Sequence, residues 1–90
     1  MFYKVKSVKA LPKLKLLVHF QNGEIKEYDI TSLLNEWEQF KTLQTTAGLF
    51  EQVKVDDGGY GISWNDELDL SCNELYNNGI TIQNQNKHSA

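Results

Sequence analysis

The chain has 90 residues, 40% of them apolar, with nine lysines and no arginine against twelve acids, for a net charge of −3. That is enough for one compact domain and too little for two, and the apolar share lies outside the range of chains that stay unfolded. A single cysteine, Cys72, excludes an intramolecular disulfide and the stapled build of small secreted domains, so a reducing cytoplasm is the expected compartment.

Met1 to Lys15 alternates lysines with short apolar pieces, which is not a signal-peptide pattern, and no run approaches the ~20 apolar residues of a membrane span. Within it, Tyr3 to Ala10 alternates as a half-buried strand with its lysines outward, ended by Leu11-Pro12. Leu14, Leu16, Val18 and Phe20 keep a period of two and lead through Gln21-Asn22-Gly23 into Glu24 to Ile30, where Ile25, Tyr28 and Ile30 suit a pairing strand. Asn-Gly between two such runs predicts a type I′ hairpin, because both residues tolerate positive φ.

Thr31 or Ser32 supplies the cap of a central helix, and the spacing of Leu33, Trp37 and Phe40 predicts that all three pack inward. Thr45-Thr46-Ala47-Gly48 ends it, and Leu49-Phe50-Glu51-Gln52 reads as one short turn before Val53 to Val55. Asp56-Asp57-Gly58-Gly59 predicts a second hairpin onto Tyr60 to Trp64, with Tyr60, Ile62 and Trp64 on one face. After a turn at Asn65-Asp66-Glu67, Leu68 and Leu70 point inward, Ser71 caps a short helix carrying Leu75 and Tyr76, and Asn78-Gly79 stops it, with Gly79 at C′. Ile80 to Ile82 reads as a last short strand, and residues 83–90 as a polar tail with nothing to bury. The expected fold is therefore a single α+β domain over residues 1–82, two β-hairpins of about five mainly antiparallel strands with one central and one short C-terminal helix.

The candidate chemistry is sparse. Asp66, Glu67 and Asp69, with Asp56-Asp57, lack the spacing of a calcium loop and read as turn residues. His19 faces away from Val18 and Phe20, with Ser63 and Asp29 as arbitrary partners, and Cys72 has no paired histidine, so each reads as structural or solvent-facing, as does His88 in the tail. Gly58-Gly59-Tyr60-Gly61 lacks a phosphate-loop lysine and its strand-to-helix setting. No cofactor, metal or catalytic residue is assigned, and a small metal-dependent or hydrolytic enzyme is the least favoured of the alternatives. Residues 1–23 carry five lysines and no acid, while residues 24–90 carry four lysines and twelve acids. A nucleic-acid accessory role through Lys4, Lys6, Lys9, Lys13 and Lys15 is the alternative, disfavoured because arginine, the better phosphate and guanine ligand, is absent.

Laid out in this order, the chain resembles the bacterial family catalogued as domain of unknown function 2442. The likeness runs from about Val5 to Tyr76 and rests on Leu16-Val18-Phe20 with Asn22-Gly23, Asp29 to Leu33, Phe50-Val53-Val55, Trp64-Asn65, Asp69-Leu70 and Leu75-Tyr76. These are packing and turn residues, so the resemblance implies a fold more than an activity. This chain departs from the family in carrying Asp66-Glu67 where a glycine is common, and in a more polar helix. The resemblance further implies a gene neighbourhood like that of a toxin and antitoxin, and hence a non-enzymatic, antitoxin-like module whose partner is a small toxin. The surface expected to carry that contact is the edge of the N-terminal strand, with Lys4 and Lys6, and the turn with Trp64, Asn65, Asp66 and Asp69. A homodimer through the same edge is the other protein contact it allows, and no membrane contact is expected.

Overall fold

The computed structural model describes residues 2–84. Seven strands are found among them: β1 (Val5–Leu11), β2 (Lys15–Phe20), β3 (Glu24–Asp29), β4 (Lys54–Val55), β5 (Gly61–Asn65), β6 (Leu68–Ser71) and β7 (Ile80–Asn84). Three short α-helices join them, α1 (Thr31–Leu34), α2 (Thr42–Thr45) and α3 (Cys72–Asn78), with single 3-10 turns at Glu38–Lys41, Phe50–Gln52 and Asp57–Gly59. One antiparallel sheet has the order β1-β2-β3-β7 and a second the order β4-β5-β6, which gives the α+β class read from the sequence. Two of its strands exceed the expected five because Leu68 to Ser71 and Ile80 onward both pair. Gln83 and Asn84, placed in the tail by sequence, complete β7, and the remainder of that tail, His88 included, lies outside the described residues.

Strict alternation puts Leu16, Val18 and Phe20 of β2 on one face, opposite Tyr28 and Lys26 of β3. This face meets Ile62, Trp64, Leu68 and Leu70 of the second sheet and Cys72 and Leu75 of α3 in a single core. Lys26 is the one buried charge among the described residues. Its Nζ donates to Tyr76 O at 2.5 Å, at the C-terminal end of α3, and stands 3.9 Å from the centre of the Tyr76 ring. Both contacts suit a cation, the first because carbonyls at a helix end carry partial negative charge, the second because a ring face does.

The turns depart from expectation in instructive ways. At Asn22-Gly23 the Gly23 N–H donates to Phe20 O at 3.0 Å, so Gln21 and Asn22 are the central turn residues, and only Gly23, at φ 96°, is left-handed. The predicted type I′ turn is not formed. Positive φ occurs instead at Lys13 (66°) and Leu14 (59°), in the unforeseen hairpin turn between β1 and β2, where Leu14 O accepts from Ile30 N at 3.0 Å. Gly79, expected in the left-handed C′ conformation, is extended (φ −77°, ψ 159°). It is needed for space: a Cβ there would lie 2.6 Å from Leu75 O and 3.2 Å from the Lys26 Cβ.

The central helix is the largest correction. After one turn of α1 the chain extends at Trp37 (φ −130°, ψ 112°) and restarts as a 3-10 turn. Leu33, Phe40 and Leu43 are buried, while Trp37 is 46% exposed. Thr42 and Thr45 hydroxyls donate back to Gln39 O and Lys41 O, the local bonding that makes threonine a weak helix former. Nor does Thr31 or Ser32 cap α1: Asp29 Oδ1 accepts from both Thr31 N (2.9 Å) and Thr31 Oγ1 (2.6 Å). The cap of α3 is as read, with Ser71 Oγ accepting from Glu74 N at 3.0 Å.

Candidate functional site

β7 pairs with β3 only as far as Glu27, opposite Ile80. Past that point the edge of β3 at Tyr28 and Asp29 is open, and a groove of about 520 Å³ runs there between α1 and α3, walled by Glu27, Asp29, Glu36, Trp37 and Glu74. On the far side of Trp37 lies a second groove of about 320 Å³, with Phe40, Glu67, Asp69 and again Glu74 in its walls. Trp37 and Glu74 belong to both, so the two hollows form one surface with an indole standing between them. Six of the chain's twelve acids, Glu27, Asp29, Glu36, Glu67, Asp69 and Glu74, line it, and no lysine does.

Each wall is held from beneath. The Tyr28 hydroxyl donates to Glu74 Oε2 at 2.7 Å, and burial, followed by that hydrogen bond and the charges of Glu74 and Glu36, pushes the phenol well above its ordinary range. Tyr28 therefore stays a protonated donor. The hydrogen bonds from Thr31 hold the Asp29 carboxyl below the usual carboxylate range, so it stays charged at neutral pH. Lys15 Nζ lies 3.8 Å from Glu27 Oε1, the one ion pair among the described residues, and its charge also acts on Asp29. An exposed indole face among carboxylates favours ammonium and guanidinium groups through ring quadrupole and charge together.

The residues nominated from sequence scatter. Trp64 is 4% exposed, its rings 6.2 Å from Phe40 and Phe50, with Nε1 donating to Phe50 O at 3.0 Å, so it is a core residue and withdrawn from the contact surface. Asn65 serves its turn, Oδ1 accepting from Glu67 N and Leu68 N, and Asp66 is exposed beside it. Only Asp69 of the six reaches the acidic surface. Lys6 is exposed on β1, and Lys4 Nζ stands 4.9 Å from the centre of the Tyr60 ring. The edge of β1 is covered at Val5, where Gly59 packs so closely that a Cβ would lie 2.6 Å from Val5 O.

His19, Asp29 and Ser63 are not brought together: His19 pairs with Ile25, Asp29 with Lys15, and the Ser63 hydroxyl donates to Asp56 Oδ1 at 2.7 Å in the other sheet. Among the described residues no three metal-ligating side chains converge, and no helix is long and apolar enough to cross a membrane. Cys72 is buried. Sequence reasoning missed Trp37, Glu27, Glu36 and Glu74; the one local signal was the polar run Asn35-Glu36-Trp37-Glu38-Gln39, which leaves a lone aromatic with no apolar neighbour.

No curated protein and no solved structure matches the chain. The profile of the family described as "Protein of unknown function (DUF2442)" matches residues 5–81, which takes in every residue of the acidic surface, both sheets but for the end of β7, and all three helices. The chain belongs to that family of proteins of unknown function, DUF2442.

Proposed function

We propose that this chain is a non-enzymatic protein-interaction module that holds a lysine- or arginine-bearing segment of a partner protein against the surface around Trp37. The observation that carries the reading is the exposed indole set between two grooves with six carboxylates and no basic residue in their walls. Aromatic anchors ringed by charge suit interfaces, since a rigid ring contributes contact area at small entropic cost while the charges choose the partner. The small toxin implied by the family resemblance enters as one such partner, through a basic surface of its own.

The test is a titration with a short lysine- and arginine-rich peptide, followed by tryptophan emission and by calorimetry at two salt concentrations. Binding at micromolar concentration, weakened by salt and reduced at least tenfold by Trp37→Ala and by Glu36→Lys, is the expected result. Absent binding, or binding indifferent to both variants, overturns the reading. Binding of a nucleic acid of equal charge density, abolished by Lys6→Glu and Lys9→Glu and not by Trp37→Ala, transfers the role to the lysine-rich strand.

A further inference from the structure

The smaller sheet ends in a strand with one side unused. Its order is β4-β5-β6, so β6 pairs with β5 alone. Cys72 N donates to Tyr60 O at 2.8 Å, and the register runs on with Gly61 opposite Ser71, Ile62 opposite Leu70 and Ser63 opposite Asp69. Bonded and non-bonded pairs alternate along an antiparallel ladder, so Leu70 turns its N–H and C=O toward β5 while Asp69 and Ser71 turn theirs away. Two contacts agree with that phase. A Cβ on Gly61 would lie 2.6 Å from Leu70 O, and Gly61 O accepts from Asp56 N at 2.9 Å, on the side of β4. The Ser71 carbonyl, at the N-cap of α3, begins the helical ladder. That leaves the Asp69 N–H, the Asp69 C=O and the Ser71 N–H, none of which has a partner among the described residues.

This edge belongs to the acidic surface. Asp69, Leu70 and Ser71 line the groove of about 320 Å³ together with Trp37, Phe40 and Glu74. An unused strand edge in a groove suits an extended segment, whose main chain supplies affinity and whose alternate side chains supply specificity. Along β6 exposure alternates, with Leu68 and Leu70 buried and Asp69 and Ser71 exposed. A strand added beside it sets every second side chain next to Asp69 and the intervening ones on the core side, where Phe40 joins the core and Trp37 packs outside it. Glu67 and Glu74 share the groove with Asp69 and no lysine does, so the first row calls for cations and the second for apolar groups.

Resting on the basic-segment reading above, we infer that β6 is the docking edge and that the partner's segment binds there as an antiparallel fourth strand, with lysine or arginine at alternate positions and apolar residues between. Asp69 then exchanges both its bonds with one basic residue of the segment, and the Ser71 N–H donates to the residue two positions away.

The probe is acetyl-Gly-Lys-Val-Lys-Val-Lys-Gly-amide, titrated calorimetrically into the full chain, with one version N-methylated at its lysines and another at its valines. In the antiparallel strand the lysine N–H groups face β6 and the valine N–H groups face solvent. Methylating the lysines is therefore expected to weaken binding at least tenfold, and methylating the valines by less than about threefold. Amide exchange at Asp69 and Ser71, read by NMR, is expected to slow at least tenfold on saturation with the unmodified peptide. Every change is made in the peptide, so the comparison does not depend on a variant that folds. Binding that is lost in Trp37→Ala but is indifferent to which residues are methylated, or that leaves exchange at Asp69 and Ser71 unchanged, overturns the strand addition and leaves the basic-segment reading standing. No binding at millimolar peptide overturns both. Exchange at the two amides that slows with protein concentration alone places a second copy on the edge and overturns the assignment to a partner's segment.

Discussion

Two tryptophans with nearly opposite exposure make the sharpest residue-scale contrast. Trp64 is wedged between Phe40 and Phe50 with its N–H satisfied by Phe50 O, whereas Trp37 touches Phe40 from outside at 5.9 Å between ring centres. Trp64→Ala leaves a large cavity and an unpaired carbonyl, and chemical denaturation should read a loss of about 3–5 kcal/mol, a large part of a small domain's stability. Trp37→Ala should read less than about 1 kcal/mol by the same measurement, since half of the side chain is already in water. Asp29 acts on the first turn of α1. Because its carboxyl is held below the usual range, its contribution is complete above the unfolded value of about 3.9 and fades as pH falls through the folded value. Asp29→Ala removes the two hydrogen bonds accepted from Thr31, should cost about 1 kcal/mol at neutral pH, and should narrow its gap to the wild type as pH drops below about 4 in a series of urea melts.

At the scale of elements, what was legible followed from local periodicity and what was not followed from the backbone's choice between equivalent patterns. Leu16, Val18 and Phe20 alternate without interruption, and Ser71 precedes a helix with Glu74 three residues on, so β2 and the cap of α3 stand as read. Leu33, Trp37 and Phe40 have the spacing of one helical face, yet the chain extends at Trp37, and Phe40 and Leu43 both reach the core. The acidic surface was illegible for another reason: Glu27, Glu36, Glu67 and Glu74 are far apart along the chain and meet only after β3, α1, β6 and α3 are assembled. Gly79 shows the same limit, since its necessity comes from Lys26 of β3 crossing behind it as well as from its own helix. Gly79→Ala, at a φ any residue adopts, should still destabilise by about 1–3 kcal/mol in thermal or urea unfolding, because the added methyl meets backbone that cannot yield.

The whole molecule is two unequal sheets sharing one core, joined by the broken helical segment on one side and by α3 on the other. Its larger sheet is assembled from both ends of the chain: three strands come before residue 30 and the fourth begins at Ile80. During synthesis the β1-β2-β3 meander therefore leaves the ribosome long before the strand that lines its flank, and before Leu75 of α3, which shares the core with Val18 and Phe20, exists. A nascent chain in that interval carries a bare row of amide and carbonyl groups along β3 and an open apolar face, the pairing template that neighbouring chains on one polysome share. For this protein the strand that begins at Ile80 is the one that makes the three strands before residue 30 safe.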